Sequence, residues 1–180
     1  MQQMDPDQTI DIDALKAQVD AEIAARLLIE ADSARYIQRR GFSIGDLKLL
    51  VPLDATSEVL EMPPLFRLPG APSGIKGLAN RHGRVVPVMD LSTLFEMSHD
   101  RATSPWLLIC GRGDEAVGLI IDNLPERKSF VQDDEVGLSE INHPIASYAK
   151  AAYRDGRNIW IDIDTEEFFA KVFHVEPASV

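Results

Sequence analysis

Few residues of this 180-residue chain have the types chemistry uses, and those few fall at the wrong spacing. Gly70-Ala71-Pro72-Ser73-Gly74-Ile75-Lys76-Gly77 has the glycines and lysine of a phosphate-binding loop. That loop needs four residues between its glycines, then Lys and Ser or Thr, then a helix. Here three residues intervene and Gly77 takes the hydroxyl position, so the segment reads as a loop entering a strand. Gly111-Arg112-Gly113 lacks the third glycine of a dinucleotide fingerprint and joins strand to strand. Arg112-Gly113-Asp114 matches an integrin-binding tripeptide, which in a cytosolic chain is simply a turn. The histidines, His82, His99, His143 and His174, are scattered, and none pairs with another His or Cys at metal-ligand spacing. Asp162, Asp164, Glu166 and Glu167 are acidic enough for calcium but lack the central glycine of a calcium loop. Acids in a first helical turn are already favoured by the helix dipole. Gly41-Phe42-Ser43-Ile44-Gly45 has the G-x-S-x-G spacing but runs into a hairpin turn, not into the strand-to-helix turn that a nucleophile elbow needs. Carboxylates converging from separate strands are the one catalytic arrangement left open. The expectation is a protein with no metal, no cofactor and no enzymatic activity.

Charge and composition narrow the partners. Eighteen Lys and Arg against 29 Asp and Glu give a net charge of −11, a field that repels phosphate backbones and anionic membrane surfaces. Arg35, Arg39 and Arg40 come closest to a basic cluster and read as solvated surface. The single cysteine, Cys110, excludes an internal disulfide. Within Trp106-Leu107-Leu108-Ile109-Cys110 it reads as a small buried hydrophobe. The acidic start MQQMDPDQTI lacks the features of a signal peptide, and no apolar run approaches the ~18 residues of a membrane span. These features predict a cytoplasmic protein that inserts in no membrane and binds no nucleic acid.

Residues 1–35 are expected to be a disordered start followed by an N-terminal amphipathic helix, and residues 36–176 a separate domain. Residues 1–10 are polar and aperiodic. From Asp11 to about Arg35, Ile12, Leu15, Val19, Ile23 and Leu27 recur every three or four residues and draw one apolar stripe. Thr9 or Asp11 can cap the start, and Glu22 with Arg26 is a favourable pair one turn apart. The default role of the stripe is packing on the rest of the protein; the alternative is docking on a partner helix.

Beyond Arg35 the apolar runs shorten and Gly, Pro, Asn and Asp punctuate them, which signals strands and turns. Phe42–Leu53 reads as a hairpin around Gly45-Asp46. A strand is expected near Thr56–Glu61, then a Pro-rich connection, then a hairpin of Ile75–His82 and Arg84–Met89 around Gly83. Pro52 and Pro87 require an edge or a bulge. A short helix from Asp90 to Met97 precedes central strands at Trp106–Cys110 and Val117–Asp122. Glu126–Val131 is a further strand, followed by an acidic loop through Asp133, Asp134 and Glu135. A last hairpin, Ala149–Arg154 with Asn158–Ile163, leads to a short C-terminal helix from about Thr165, capped by Asp164 with Glu167 three residues on. About ten short strands predict an all-β barrel or sandwich with helical ends.

One segment is more specific than these patterns. Gly77-Leu78-Ala79-Asn80-Arg81-His82-Gly83-Arg84-Val85-Val86-Pro87-Val88-Met89-Asp90-Leu91 resembles the signature of CheW-like domains, roughly G-x-x-N-x-R-G-x-x-x-P-[VI]-x-D-L. Phe42-Ser43-Ile44-Gly45-Asp46 with Val51-Pro52-Leu53 is similar to the family's opening hairpin, and Glu58-Val59 to its E-[IV] pair. Val117-Gly118-Leu119-Ile120-Ile121-Asp122 is similar to its V-G-[LI]-x-V-D strand. The resemblance runs without a gap from Phe42 to Leu91 and loosely to about Val172.

The resemblance implies two five-stranded β-barrel lobes around a shared core. It also implies a non-enzymatic adaptor that couples the cytoplasmic tip of a chemoreceptor to the regulatory domain of a CheA-type histidine kinase. By position, the receptor-binding groove then contains Glu58 and His82, with Gly77 and Asn80 shaping the backbone; it assigns no kinase-binding residue. His82 stands where the family has arginine. Arg81 is not expected to substitute, because neighbouring strand residues face opposite ways. On that reading His82→Arg would tighten receptor binding. The N-terminal helix resembles extensions in PilI-like couplers of twitching motility. Two alternatives accompany this reading: a CheW-like decoy that no longer couples, and a small-barrel nucleic-acid module, which the acidic balance opposes.

Overall fold

The computed structural model describes residues 11–33, 35–98 and 104–173, in two units of residues 1–37 and 38–180. Residues 1–10, Thr9 among them, lie outside the described residues, as do His99 and His174. In the first unit, α1 spans Ile12–Ser33. Asp11 is its cap: Oδ1 accepts from the backbone N–H groups of Asp13 and Ala14, both at 3.1 Å. Described by itself, the helix carries its stripe residues exposed, from 47% at Val19 to 71% at Ile12.

The second unit is built on strands β1 (Ile37–Ile44), β2 (Leu47–Val51), β3 (Thr56–Glu61), β4 (Ile75–Arg81), β5 (Arg84–Met89), β6 (Trp106–Cys110), β7 (Val117–Ile121), β8 (Glu126–Phe130), β9 (Glu135–Val136), β10 (Ala149–Asp155) and β11 (Asn158–Ile163). Helix α2 (Leu91–Leu94) follows β5 and α3 (Thr165–Phe173) ends the described chain. The six-stranded sheet has the order β8-β1-β2-β11-β10-β9 and the five-stranded sheet the order β3-β6-β7-β5-β4. The sixth strand is the two-residue β9, formed where the acidic loop was expected. The helix expected from Asp90 to Met97 is shorter, because Glu96 adopts a positive φ of 52°.

Both sheets curl until strands distant in the order touch. Phe130 on edge strand β8 stacks on Tyr153 of β10, with ring centroids 5.0 Å apart. Glu58 and Arg81, on the two edge strands β3 and β4, form an ion pair. The result is two lobes that share a core of Phe42, Ile44, Leu49 and Ile161 from one sheet against Met89, Leu108, Leu119 and Ile121 from the other. Each such fully buried aliphatic side chain contributes roughly 2 kcal/mol. Leu107, Ile109, Val86 and Ile120 point the other way, into the five-stranded lobe's own interior. Because successive residues alternate faces and both faces are buried, β6 and β7 read as unbroken apolar runs. The lobes are also tied through polar groups at the end of β7. Asp122 Oδ2 accepts from Gly45 N–H at 2.6 Å, and Asn123 Oδ1 from Ser43 N–H at 2.7 Å.

The two prolines differ from expectation in one respect. Pro52 follows β2 and is outside the ladder, but Pro87 lies in β5, an interior strand of its sheet. Leu78, its partner on β4, exchanges both backbone hydrogen bonds with Phe66 (2.8 Å each), so Leu78 and Pro87 are a non-hydrogen-bonded pair. Pro87 therefore turns its missing N–H toward β7, whose parallel ladder begins only at Val88. No ladder bond is lost.

Cys110 is fully buried in the shared core, and burial pushes its thiol up to about 12. It should resist alkylation in the folded protein and take one label in denaturant. Fast labelling without denaturant, read by mass spectrometry, would contradict this packing.

Candidate functional site

The carboxylate and the guanidinium that meet at the lobe seam define the most distinctive polar feature of the surface. Glu58 pairs in register with Ile109, and Arg81 lies two residues beyond buried Ala79 on the same face. Ile109 and Ala79 both line the five-stranded lobe's interior, so Glu58 and Arg81 are inward-facing residues at its mouth. Arg81 Nε donates to Glu58 Oε2 at 2.8 Å while Nη2 donates to Oε1, a two-point fork. Each side chain remains one third exposed. The Arg81 hydrogen bond holds the Glu58 carboxyl below the usual carboxylate range, with a smaller contribution from the His82 charge. The same bond raises Arg81. The site thus keeps a fixed, ionised pair within reach of solvent.

This geometry corrects the expectation for His82. Strand β4 ends at Arg81, which pairs with Arg84, leaving His82-Gly83 as a two-residue turn. His82 has φ 49° and Gly83 φ 78°, the left-handed pair that a tight hairpin demands. His82 is therefore an exposed turn residue, and Arg81 is the partner of Glu58. Alternation of faces ends with the strand, so it does not hold between Arg81 and the turn residue His82. A two-residue hairpin count from Asn80 to Val85 would have placed Arg81 correctly. The rationale for His82→Arg falls with it, since the fork on Glu58 is already occupied.

The other two expected residues are backbone-shaping. Asn80 is exposed, and its Oδ1 accepts from Gly83 N–H at 3.1 Å, which braces the turn. Gly77 has φ 149°, and a Cβ there would stand 2.4 Å from the carbonyl oxygen of Phe66. Only glycine admits the chain that crosses β4 at that point. Three of the expected residues, Glu58, Asn80 and His82, thus gather around the β4–β5 tip, and Gly77 lies back along β4. Asp90, the acid of the same motif, is buried and caps α2, accepting from Ser92 N–H at 3.0 Å and from the Thr93 hydroxyl at 2.9 Å.

A second polar pair was not anticipated. Arg39, expected on a solvated surface, donates from Nε to both oxygens of buried Asp162, at 3.0 and 2.8 Å. The two residues are far apart in the chain, and neither has a local signal. Asp164 caps α3 through Glu167 N–H at 3.1 Å, whereas the Glu167 carboxylate pairs with Lys171. Three of the four C-terminal acids, Asp162, Asp164 and Glu167, are thus taken up by structure. Among the described residues, no three His, Cys, Asp or Glu side chains are grouped to hold a metal. Among the described residues, the open clefts include two of similar size. One of about 700 Å³ lies between the Arg112–Glu115 loop and α3, and one of about 690 Å³ is lined by Met62, Leu65, Arg67, Ile75, Lys76 and Asp90. Neither contains Glu58 or Arg81.

Comparison with known proteins bears on this arrangement. The model of the CheW-like domain matches residues 40–173. Protein PilI of Pseudomonas aeruginosa is 31% identical over 113 residues, which are 62% of this chain and 63% of PilI. The chain thus spans less than two thirds of that relative. Chemotaxis protein CheW of Thermotoga maritima is 23% identical over 136 residues, 74% of this chain and 89% of that one. In fold, the chain is similar to the crystal structure of scaffolding protein TtCheW from Thermoanaerobacter tengcongensis. The TM-score is 0.60 at 18% identity, covering 71% of this chain and 84% of TtCheW.

Proposed function

Because this chain belongs to the CheW-like domain family of chemosensory scaffold proteins, we propose that it is a cytoplasmic, non-enzymatic adaptor coupling a chemoreceptor tip to a CheA-type histidine kinase. The observation that carries the reading is the Glu58–Arg81 pair, held at the lobe mouth beside the hairpin tip formed by the family motif. A coupler works by contacting two partners differently in two signalling states, which needs fixed recognition groups rather than reacting ones. An ionised fork, one third exposed, offers charge and directional hydrogen bonds to a polar partner surface. In this reading Glu58, Arg81, Asn80 and His82 face the receptor, and Gly77 holds their backbone. The similarity to PilI favours a pilus-driven pathway over a flagellar one.

Calorimetric titration against the regulatory domain of a CheA-type kinase, and separately against a receptor tip, tests this. Both should bind. Glu58→Gln should weaken receptor binding about tenfold, near 1.4 kcal/mol, and leave kinase binding unchanged. Kinase binding alone would mark a decoy rather than a coupler, and binding to neither partner would refute the proposal.

A further inference from the structure

The hairpin tip Arg81-His82-Gly83-Arg84 carries more positive charge than the lobe mouth neutralises. Arg84 is the register partner of Arg81, and directly opposed residues of a ladder project from the same face. Val86 and Val88 line the interior of the five-stranded lobe, so alternation along β5 also places Arg84 on the inward face. Two guanidinium groups therefore stand opposite each other at one mouth. Like charges so placed destabilise a strand pair unless something neutralises them. Glu58 does so for Arg81 alone, since both of its carboxylate oxygens are taken by that fork.

Arg84 has no such partner: among the described residues it forms no ion pair with a carboxylate. Its Nη1 reaches the β6–β7 loop, 3.5 Å from where a Cβ at Gly113 would stand, yet it pairs with neither Asp114 nor Glu115. The side chain is exposed, and in the free protein water and salt screen its charge. A protein seated on the mouth removes that screening, and a cation covered without a partner is costly. The occupant that fits brings a carboxylate of its own.

We infer that Arg84 receives an Asp or Glu side chain of the protein that docks at this mouth, beside the Glu58–Arg81 fork. The inference rests on the coupling reading above, in which that protein is the receptor. It also gives the contact its selectivity. With a net charge of −11, the rest of the chain opposes an acidic partner, so only one that places its carboxylate at Arg84 is accepted.

Calorimetric titrations and thermal melts of the full chain carrying Arg84→Gln or Arg84→Lys, beside the wild type, test this. Arg84→Gln should weaken receptor binding about five- to tenfold and flatten its salt dependence. It should melt at the same temperature as the wild type or about 2 °C higher, because the opposed charges are gone. A side chain that only braced the hairpin would lower the melting temperature instead. Arg84→Lys keeps the charge without the planar fork and should bind with an affinity between the other two. A loss seen against the kinase domain rather than the receptor tip supports the charge match and assigns the mouth to the other partner. An Arg84→Gln protein that binds both partners like the wild type, or that melts below it, overturns the inference and leaves the coupling reading standing. A wild type that binds neither partner overturns both.

Discussion

Replacing Arg39 by methionine should cost the fold about 3–5 kcal/mol at neutral pH, the penalty for leaving a buried carboxylate without its partner. Asp162 is buried on β11, and the Arg39 Nε fork provides its charge compensation across the intervening strand β2. Methionine retains the packing of the stem and removes only the charge and the donors. Burial is the largest influence on Asp162 and raises its pKa, against the lowering by Arg39. An acid whose folded pKa exceeds its unfolded one contributes stability that is full below the unfolded value, and that contribution is lost as pH rises through the folded value. Removing Arg39 takes away the chief lowering influence, so the defect should be greatest near neutrality and shrink as Asp162 takes up its proton in acid. Urea denaturation of both proteins across the acid range measures this. A loss that does not vary with pH would show that packing, not the buried charge, is responsible. Adding Asp162→Leu to Arg39→Met should recover most of the stability, because a well-packed apolar pair can replace a buried ion pair without loss.

The second prediction concerns the crossing at Gly77. Gly77→Ala should destabilise the protein by about 3 kcal/mol, from backbone strain at φ 149° and from a Cβ forced against the Phe66 carbonyl. Relief requires the connection to move off β4, which breaks the two Phe66–Leu78 backbone hydrogen bonds. For a chain of this size the melting temperature should fall by about 6–12 °C. The same change at Gly83 meets no atom within 4 Å, so only its left-handed φ opposes a side chain there. A much milder effect at Gly83 than at Gly77 is therefore the expected pattern in thermal melts. Equal effects would mean that conformation, not the close approach, is what requires glycine at Gly77.

The contrast between these sites shows what could be read in advance. Hairpins, central strands and helix caps were legible because their causes are local. A Gly-containing turn needs a positive φ, a strand buried on both faces needs an unbroken apolar run, and an acid before a helix satisfies its free N–H groups. The bounds of β3 and β6 and the cap Asp164 follow from such rules. Part of the family motif was legible for the same reason, since Asn80, Gly83 and Asp90 each do a local backbone task, whereas Gly77 answers to the crossing chain at Phe66.

What no local rule could supply were the pairs that depend on closure. Arg39 meets Asp162 because β1 and β11 flank β2 in one curled sheet, and Glu58 meets Arg81 because the two edges of the other sheet come together. Sequence fixes the face on which a strand residue lies, through the two-residue period of the pleat. It does not fix which distant strand that face will meet, because sheet order and curl arise from packing the whole core at once. His82 and Arg81 mark the boundary: one residue decides strand or turn, and with it which side chain reaches the carboxylate.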